Sequence, residues 1–324
     1  MAGRIEVLHI GSACRDVDPG DPRGWRLGGG VTYAALTTAR LGLQTAAVVG
    51  VDADARGASE FDALRAAGVD ILFVPLREGP IYHNVETPSG RVQWCVQPGV
   101  PLPIPPLPES WSAAAAWSVV PVAGEVGDSW ADVVPDQAFV AVAWQGLLRH
   151  LVAGERVVPR IPEATPLLRR ADLVGVSHHD LDRRTPVSDL VGLLHPGARL
   201  VVTRGAHGGL LVAVRPDGSA ETLRYLPTTT LDEVEPTGAG DTFLAALLAT
   251  VIRPGIAGRS RSRRLPDLRF AAAAGSLVVE GPGLSAVPDR AAVNLRRMRE
   301  PVRRAILSFD DAHVGEDSPA RPAG

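Results

Sequence analysis

Lysine is absent from this chain of 324 residues, in which all 33 basic residues are arginine. Phosphate-binding loops that need a lysine, protein-kinase active sites and chemistry that runs through a lysine imine are therefore excluded. If the protein handles phosphate, backbone N–H groups, arginine or a metal ion must do it.

Cysteine and net charge are also scarce. Cys14 and Cys95 are too few for a disulfide framework or a metal cluster. The formal net charge of −3 creates no field that would attract nucleic acid or an anionic membrane. No apolar run reaches the roughly 20 residues that cross a bilayer, and the first residues lack a signal-peptide pattern. We therefore expect a cytoplasmic protein with neither nucleic acid nor membrane as a partner.

Strand and helix patterns alternate along most of the chain. Apolar runs at 4–11 and 44–50 predict buried strands, and the helical periodicity of 29–41 between them predicts a helix. This βαβ alternation is typical of α/β folds with a parallel sheet. Further core strands are predicted at 70–75, 116–120, 138–144, 171–176 and 199–203, antiparallel strands at 209–214 and 221–226, and helices at 57–67, 241–252, 267–280 and 289–307.

A hairpin interrupts this alternation. Residues 81–86 and 91–97 alternate in polarity around a Pro-Ser-Gly turn, and 13–27 could supply a partner segment. The proline-rich residues 98–108 predict an extended connector. An apolar face on the exposed hairpin could pair two subunits as a homodimer.

The chain reads as one domain over residues 1–305. The arginine-rich stretch 253–264 predicts a solvated surface loop. Residues 306–324 lack an apolar pattern, so we expect a disordered tail.

A glycine-rich turn at residues 237–241 leads directly into an apolar helix. The N–H groups of Gly238, Ala239, Gly240 and Asp241 should converge there, where a helix N-terminus binds anions. In a chain without lysine, this turn is the best phosphate site. Asp241 either caps the helix or takes the proton of a hydroxyl that attacks a phosphate, and the spacing alone leaves both interpretations open.

The sequence PTGAGDTF around this turn resembles the C-terminal signature of the ribokinase-like (pfkB) family of carbohydrate and nucleoside kinases. LGGGVTYAALTTARLG and VVGVDADARG are similar to the N-terminal landmarks of that family, and the resemblance runs from about residue 4 to 300. It implies a doubly wound, mainly parallel central sheet flanked by helices, a small β lid at about 13–27 and 78–97, and ATP and Mg²⁺ as cofactors. It also implies that Asp241 is the general base and that the backbone of 238–241 is the anion hole.

The resemblance also implies an acceptor site. Asp16 matches the carboxylate that binds two sugar hydroxyls, and Gly28 and Gly29 match the diglycine that lies against the acceptor. Tyr33 stands where the family usually has asparagine. This substitution bears on which acceptor the protein would bind.

Ser177 to Asp180 occupy the place of the family motif that organises Mg²⁺ through water, with Asp180 as the acidic residue. Ser177 and Glu235 depart from the family pattern. Because His178 and His179 are adjacent at a strand end, we expect them to point to different faces and not to form a transition-metal site.

For the nucleotide, the segment TRGAHG resembles the turn that contacts phosphates and ribose in the family. Small residues of the predicted helix 267–280 would line a flat adenine slot, although close packing on the sheet is the alternative explanation and the helix could do both. The residues expected at the nucleotide are Thr203, Arg204, Gly205, Gly208, Thr237, Ala273, Ala274 and Ser276.

PVAGEV, VAVAWQGLLR and EPTGAGDTFLAA are similar to segments of plant-type myo-inositol kinases. By that resemblance Glu125, Gln145 and Arg149 surround the acceptor, and polar groups of this kind suit a polyol. A ribose, ketohexose or nucleoside acceptor is the alternative, with Tyr82 and Trp94 as a possible aromatic clamp. A non-catalytic sugar-binding homologue is a further alternative, which the retained Asp241 disfavours, and the G-x-G-x-x-G spacing of a dinucleotide-binding oxidoreductase is missing.

Overall fold

The computed structural model describes residues 4–87, 90–182, 185–253, 266–299 and 304–307. In chain order the strands are β1 Val7–Ser12, β2 Cys14–Val17, β3 Trp25–Gly28, β4 Thr45–Val51, β5 Asp70–Pro75, β6 Ile81–Thr87, β7 Gly90–Gln97, β8 Ala116–Val119, β9 Phe139–Ala143, β10 Arg149–His150, β11 Glu155–Arg156, β12 Val158–Pro159, β13 Leu173–Ser177, β14 Arg199–Thr203, β15 Gly209–Val214, β16 Ala220–Tyr225 and β17 Arg304–Leu307. The helices are α1 Gly30–Arg40, α2 Ala53–Arg56, α3 Glu60–Ala66, α4 Glu109–Ser112, α5 Pro166–Arg169, α6 Val187–Val191, α7 Ala239–Ile252, α8 Leu268–Val278 and α9 Arg290–Arg299.

A ten-stranded sheet forms the centre, in the order β17-β16-β15-β14-β13-β9-β8-β1-β4-β5. The strands from β14 to β5 pair in parallel, and β15, β16 and β17 extend the sheet antiparallel. Every residue of β1 and β4 is buried, because the sheet is covered on both faces. The predicted doubly wound, mainly parallel sheet is confirmed.

Helices α1, α7 and α8 cover one face of this sheet, where their small apolar residues pack against one another and the strands. The other face carries three large indoles, Trp117, Trp130 and Trp144, packed with α5 and α6. Packing against α1, α8 and the sheet holds α7 in place. The glycine turn at the start of α7 therefore lies at the edge where the parallel strands end.

A second sheet of five strands, in the order β11-β7-β6-β2-β3, forms the lid. Strand β2 starts two residues after β1 ends, so the chain passes from the central sheet directly into the lid. The predicted hairpin and its partner segment are confirmed as β6, β7, β2 and β3, and residues 98–108 form neither helix nor strand, as expected of a connector. Trp94 and Val96 are 42% and 47% exposed on β7, which gives the lid an outer apolar face; subunit pairing stays a prediction.

The prediction of one helix over 289–307 is wrong. Helix α9 ends at Arg299, and Arg304–Leu307 forms β17, which pairs with β16. Pro301 disfavours helical backbone in the residue before it, which explains the break. The strand also crosses the domain boundary expected at residue 305. Residues 308–324 and 254–265, where a tail and a surface loop were expected, lie outside the described residues.

Among the described helices, none has the length and apolarity that crossing a membrane requires.

Candidate active site

The order of the strands creates a crevice beside β1. Strands β4 and β8 pair with β1 on opposite sides. The sheet continues from β4 to β5 on one side and from β8 to β9 on the other, so the strand order reverses at β1. In open α/β sheets, ligands bind at the carboxyl ends of the strands at such a reversal point. Ser12 ends β1, and the loop after β8 carries Glu125 to the same edge.

Helix α7 begins at this edge with an anion-binding geometry. Gly238 is its N-cap in the left-handed region, with φ of 82°. Within the described residues the amide of Ala239 donates to the Pro236 carbonyl at 3.3 Å, whereas the amides of Gly240 and Asp241 find no acceptor. A Cβ on Gly240 would meet nothing within 4 Å. The first turn of α7 therefore presents N–H donors beside open space, as an anion requires.

The carboxyl group of Asp241 has an unusual pKa. Burial raises it to about 6, the charge of Arg149 acts in the opposite direction, and the neighbouring Asp180 raises it further. A carboxylate with a pKa close to neutrality is suited to take up a proton during a reaction. The N-cap of α7 is Gly238, so Asp241 is not the capping residue of this helix.

Residues 28–30 separate the two carboxylates expected at the site. A Cβ on Gly28 would overlap the Asp16 carboxylate, and a Cβ on Gly30 would lie 2.7 Å from Asp241 Oδ1. The backbone of this segment thus runs close to both acidic side chains, and only glycine leaves room for them. Asp16 and Asp241 approach the same short segment although 225 positions separate them in the sequence.

Asp16 is connected to the lid hairpin by amide side chains. Asn84 Nδ2 donates to Asp16 Oδ1 at 3.2 Å, and Gln93 Nε2 donates to Asn84 Oδ1 at 2.8 Å. The sequence reasoning missed Asn84 and Gln93. The alternation along β6, which places Asn84 on the same face as the buried Tyr82, was the signal that could have identified it.

Tyr33 fills the space between the acceptor side and the glycine turn. It is 2% exposed, and a Cβ on Gly238 would overlap its ring. Burial raises the pKa of the Tyr33 phenol well above its usual value, and the charges of Glu235, Asp16 and Asp241 act in the same direction. The phenol therefore lies among the acidic groups of the site.

Glu125 is held by the backbone around it. Its carboxylate accepts hydrogen bonds from the amides of Ser12 at 2.9 Å, Ala123 at 2.8 Å and Val122 at 3.1 Å. The side chain is 3% exposed, and burial raises its pKa. These internal bonds tie the end of β1 to the loop after β8, which indicates a positioning role instead of the predicted direct contact with the acceptor.

Gln145 and Arg149 reach the site from the turn after β9. Gln145 Nε2 donates to Asp180 Oδ1 at 3.2 Å, and Arg149 Nη1 donates to the Val122 carbonyl at 3.0 Å. Burial raises the pKa of Asp180, and the charge of Arg149 acts in the opposite direction. The structure therefore brings both residues together with the acidic pair Asp180 and Asp241.

The model of the pfkB family of carbohydrate kinases matches residues 21–290, which is most of the chain. The chain belongs to the pfkB family. It is 31% identical over 120 residues to the probable fructokinase-3 of Arabidopsis thaliana, a match covering 35% of this chain and 33% of that protein. The chain thus aligns with about a third of the length of that curated relative.

Solved pfkB-like structures share the fold. A pyrophosphate-dependent kinase in the ribokinase family, complexed with a pyrophosphate analog and myo-inositol, is 22% identical with a TM-score of 0.63, over 89% of this chain and 98% of that one. Ribokinase of Arabidopsis thaliana, complexed with ribose and ATP, is 21% identical with a TM-score of 0.65, over 92% and 100%. At these identities the likeness establishes the ribokinase-like fold.

Around the pfkB magnesium motif, one expectation is wrong. The rings of His178 and His179 lie with centroids 3.8 Å apart instead of pointing to different faces. Residues His178–Asp180 form a 3₁₀ turn after β13, so the alternation of a strand does not apply to them. Asp180 closes this turn by accepting from the Ser177 amide at 3.2 Å, and Ser177 accepts from the His179 amide.

On the nucleotide side, two predicted contacts fail. Ala273 and Ala274 have no exposed surface, because they lie in the packed layer between α8 and its neighbours, so they cannot line an adenine slot. The side chain of Arg204 is also buried, at 5% exposure, which leaves little of it for a phosphate. Gly275 is half-buried, and a Cβ there would lie 3.4 Å from the Ala239 carbonyl oxygen of the glycine turn.

The remaining nucleotide-side residues have mixed surroundings. Gly205 has φ of 53° and open space beside it, whereas a Cβ on Gly208 would overlap the Tyr225 carbonyl. Thr203 ends β14, its carbonyl 3.1 Å from His178 Nδ1, and Thr237 lies half-buried at the start of the glycine turn. Ser276 is buried, and its hydroxyl donates to the Ala273 carbonyl, so this side chain hydrogen-bonds within its own helix.

Proposed function

We propose that this protein is a kinase that transfers the γ-phosphate of ATP to a hydroxyl of a sugar or polyol, with Asp241 as the general base. The observation that carries the proposal is the position of Asp241. Its carboxyl group, with a pKa of about 6, stands at the N-terminus of α7 and faces Asp16 across residues 28–30.

Each part of the reaction has a group assigned to it. The amides of the 238–241 turn bind the transferring phosphoryl group, and the Asp16 carboxylate accepts hydrogen bonds from two acceptor hydroxyls. As the acceptor oxygen forms its bond to phosphorus, the bond to the leaving phosphate oxygen breaks and ADP departs. Asp241 takes the proton of the attacking hydroxyl, which is its role in the mechanism.

Magnesium fits the residues beside Asp241. Mg²⁺ is commonly held by one or two carboxylates together with water and substrate phosphates. Among the described residues no group of three metal-binding side chains occurs, but Asp180 offers a half-buried carboxylate next to the proposed base. The ion would neutralise charge on the phosphates, and Asp180 would hold it through water.

We favour a polyol, and within that class an inositol, as the acceptor. The side chains around the cleft are rich in paired polar groups, among them Asp16, Asn84, Gln145 and Arg149. A ribose or ketohexose would use the same groups and is the alternative.

A nucleoside acceptor has less support. Tyr82 pairs with Cys95 across the hairpin, whereas Trp94 pairs with His83, so the two rings lie on opposite faces of the lid. Tyr82 is also 1% exposed, and its hydroxyl donates to the Val122 carbonyl at 2.8 Å. These two aromatic side chains do not form a clamp for a base.

The same site with pyrophosphate as donor is a second candidate. The burial of Ala273, Ala274 and Arg204 favours it, because the contacts expected for adenine and ribose are reduced while the anion site at α7 is retained. One relative of the same fold is a pyrophosphate-dependent kinase.

The test is a matrix of donors and acceptors. ATP and pyrophosphate are each combined with myo-inositol, other inositols, fructose, ribose and adenosine, and the phosphorylated product is measured by mass spectrometry. Asp241→Asn is the matched control, because it preserves the shape of the side chain and removes the base. Product with a polyol or sugar that the control fails to make supports the proposal, and equal product from both proteins contradicts the mechanism.

Acceptor binding without product under either donor would instead support the non-catalytic sugar-binding alternative. Isothermal titration of the same acceptors separates that outcome from a protein that has merely lost its fold.

A further inference from the structure

We infer that Arg26 and Glu235 are positioning residues, which together set the distance between the acceptor strand of the lid and the glycine turn that binds phosphate. This inference rests on the proposed kinase function. The two side chains form an ion pair with Arg26 Nη1 2.6 Å from Glu235 Oε2, across 209 positions of sequence.

Arg26 belongs to the acceptor side. It lies on β3 directly opposite Asp16 of β2, so the two residues are cross-strand neighbours. Its Nε atom also lies 2.6 Å from Asp18 Oδ2 on the same hairpin. The guanidinium group is therefore fixed with respect to the strand that presents Asp16.

Glu235 belongs to the donor side. It comes two residues before Thr237, at the entry to the glycine turn. Its amide donates to the Val279 carbonyl at 3.1 Å, and its Oε2 atom accepts from the Gly283 amide at 2.9 Å. These bonds anchor the entry of the turn to the segment after α8 and leave the same carboxylate paired with Arg26.

Tyr33 completes the connection between the two sides. Its ring packs on Gly238, and its phenol lies among the charges of Glu235, Asp16 and Asp241. A change in the separation of β3 from the turn would therefore be transmitted through a packed aromatic ring to the anion hole. Because displacements of about 1 Å at a reacting centre cost up to about a hundredfold in rate, the pair can influence catalysis without touching a substrate.

The exposure of the pair makes it testable. Arg26 and Glu235 have side-chain exposures of 35% and 17%, and glutamine at either position keeps hydrogen-bonding atoms, which limits the cost of each substitution. Substitutions should therefore leave the protein folded. Glu235→Gln removes the charge but retains an oxygen for the Gly283 amide, and Arg26→Gln removes the partner charge.

The same hairpin supplies a matched control. Arg23 pairs with Glu60 of α3 at 2.7 Å, with exposures of 32% and 21%. That pair also ties the lid to the body of the protein, but it does not reach the glycine turn. Arg23→Gln therefore measures the effect of losing a lid ion pair that does not involve the glycine turn.

Hydrogen–deuterium exchange on the unliganded protein is the first measurement, and it requires no activity. We expect Glu235→Gln to increase exchange at least threefold in β3, and Arg26→Gln to do the same in residues 234–242, while Arg23→Gln, whose partner Glu60 also accepts from the Leu27 amide of β3, leaves residues 234–242 unchanged. If each substitution loosens only its own segment, or if Arg23→Gln reproduces both effects, the inference is wrong. Because this measurement is independent of turnover, it decides the inference even if the proposed kinase function fails.

Kinetics of the single and double variants are the second measurement. We expect kcat to fall about tenfold in Arg26→Gln and in Glu235→Gln, with the KM for the donor changed less than twofold. The double variant should be no slower than either single one, because both remove the same connection. Multiplicative losses, or an equal loss in Arg23→Gln, would overturn the inference.

Discussion

Two glycine turns, residues 203–208 and 237–241, differ in what surrounds the last glycine of each. In the first, the body of the protein occupies the space beside Gly208, because a Cβ would overlap the Tyr225 carbonyl. In the second, Gly240 has nothing within 4 Å of the position of its missing Cβ. Each turn also contains a glycine in the opposite situation, because Gly205 has open space beside it and a Cβ on Gly238 would overlap the Tyr33 ring.

The charged residues of the two turns differ in the same way. Arg204 is buried at 5% exposure, while Asp241 stands at the start of α7 with a pKa raised to about 6. A glycine-rich turn near a predicted nucleotide therefore needs its surroundings examined before a binding role is assigned. Gly208 of the first turn serves packing, and the second turn carries the proposed chemistry.

The largest effect is expected from Asp241→Asn. Removal of a general base costs about 10³- to 10⁴-fold in kcat, while donor binding, measured by titration calorimetry, should be retained. The corresponding change in the first turn is Arg204→Gln. It should lower the melting temperature, and the protein that remains folded should keep its kcat. A kcat loss in Arg204→Gln as large as in Asp241→Asn would remove the distinction between the turns.

Gly208→Ala should have the next largest effect, and on stability. With φ of 79° and the Tyr225 carbonyl in the way, we expect the free energy of unfolding to fall by about 3 kcal/mol in urea titrations. Gly205→Ala is the matched control in the same turn. It also has positive φ but open space beside it, so it should cost only about 1 kcal/mol. Equal losses from the two variants would contradict the packing explanation.

Gly240→Ala should show the opposite profile. Alanine suits a helix better than glycine, so the melting temperature should stay constant or rise slightly. The added methyl group would enter the space proposed for phosphate, and we expect the KM for the donor to rise about tenfold. An unchanged KM would place the phosphate elsewhere.

The pH dependence should be the smallest effect and should come from the second turn alone. Because the pKa of Asp241 is raised to about 6, kcat/KM should fall about tenfold per pH unit below that value and level off above it. A plateau that extends down to pH 4.5 would exclude Asp241 as the base.

The same raised pKa has a consequence for stability. The folded protein binds more protons than the unfolded chain between about pH 4 and 6, so burial of this group destabilises the fold as the pH rises through 6. Asp241→Asn should therefore raise the free energy of unfolding at pH 7.5 by about 3 kcal/mol, and this gain should disappear near pH 4.

The sequence predicted the strands and turns that follow from local residue patterns. Apolar runs such as 70–75 and 199–203 appear as strands with the same bounds, and the hairpin at 81–97 is present. The glycine turn before α7 and the approach of Asp16 to the glycine segment followed from family motifs, which encode the same geometry.

The sequence could not predict contacts between segments that are far apart in the chain. The pairing of Arg26 with Glu235 spans 209 positions, and no periodicity relates the two. For Ala273 and Ala274, small size suits both a ligand slot and a packed helix, and only the position of the neighbouring helices decides between them. Glu125 is similar, since its burial among backbone amides depends on how β1 and the loop after β8 meet.

The glycine segment at residues 28–30 limits how this protein could acquire a new acceptor. Side chains added at Gly28 or Gly30 would collide with Asp16 or Asp241, and one at Gly29 would collide with the backbone after β1, so we expect changes in this segment to remove activity before they alter selectivity. Tyr33 is restricted as well, because its ring supports Gly238. Laboratory evolution toward other acceptors should therefore accumulate substitutions on the lid strands, at positions such as Asn84 and Gln93, where amides can be exchanged without disturbing the base.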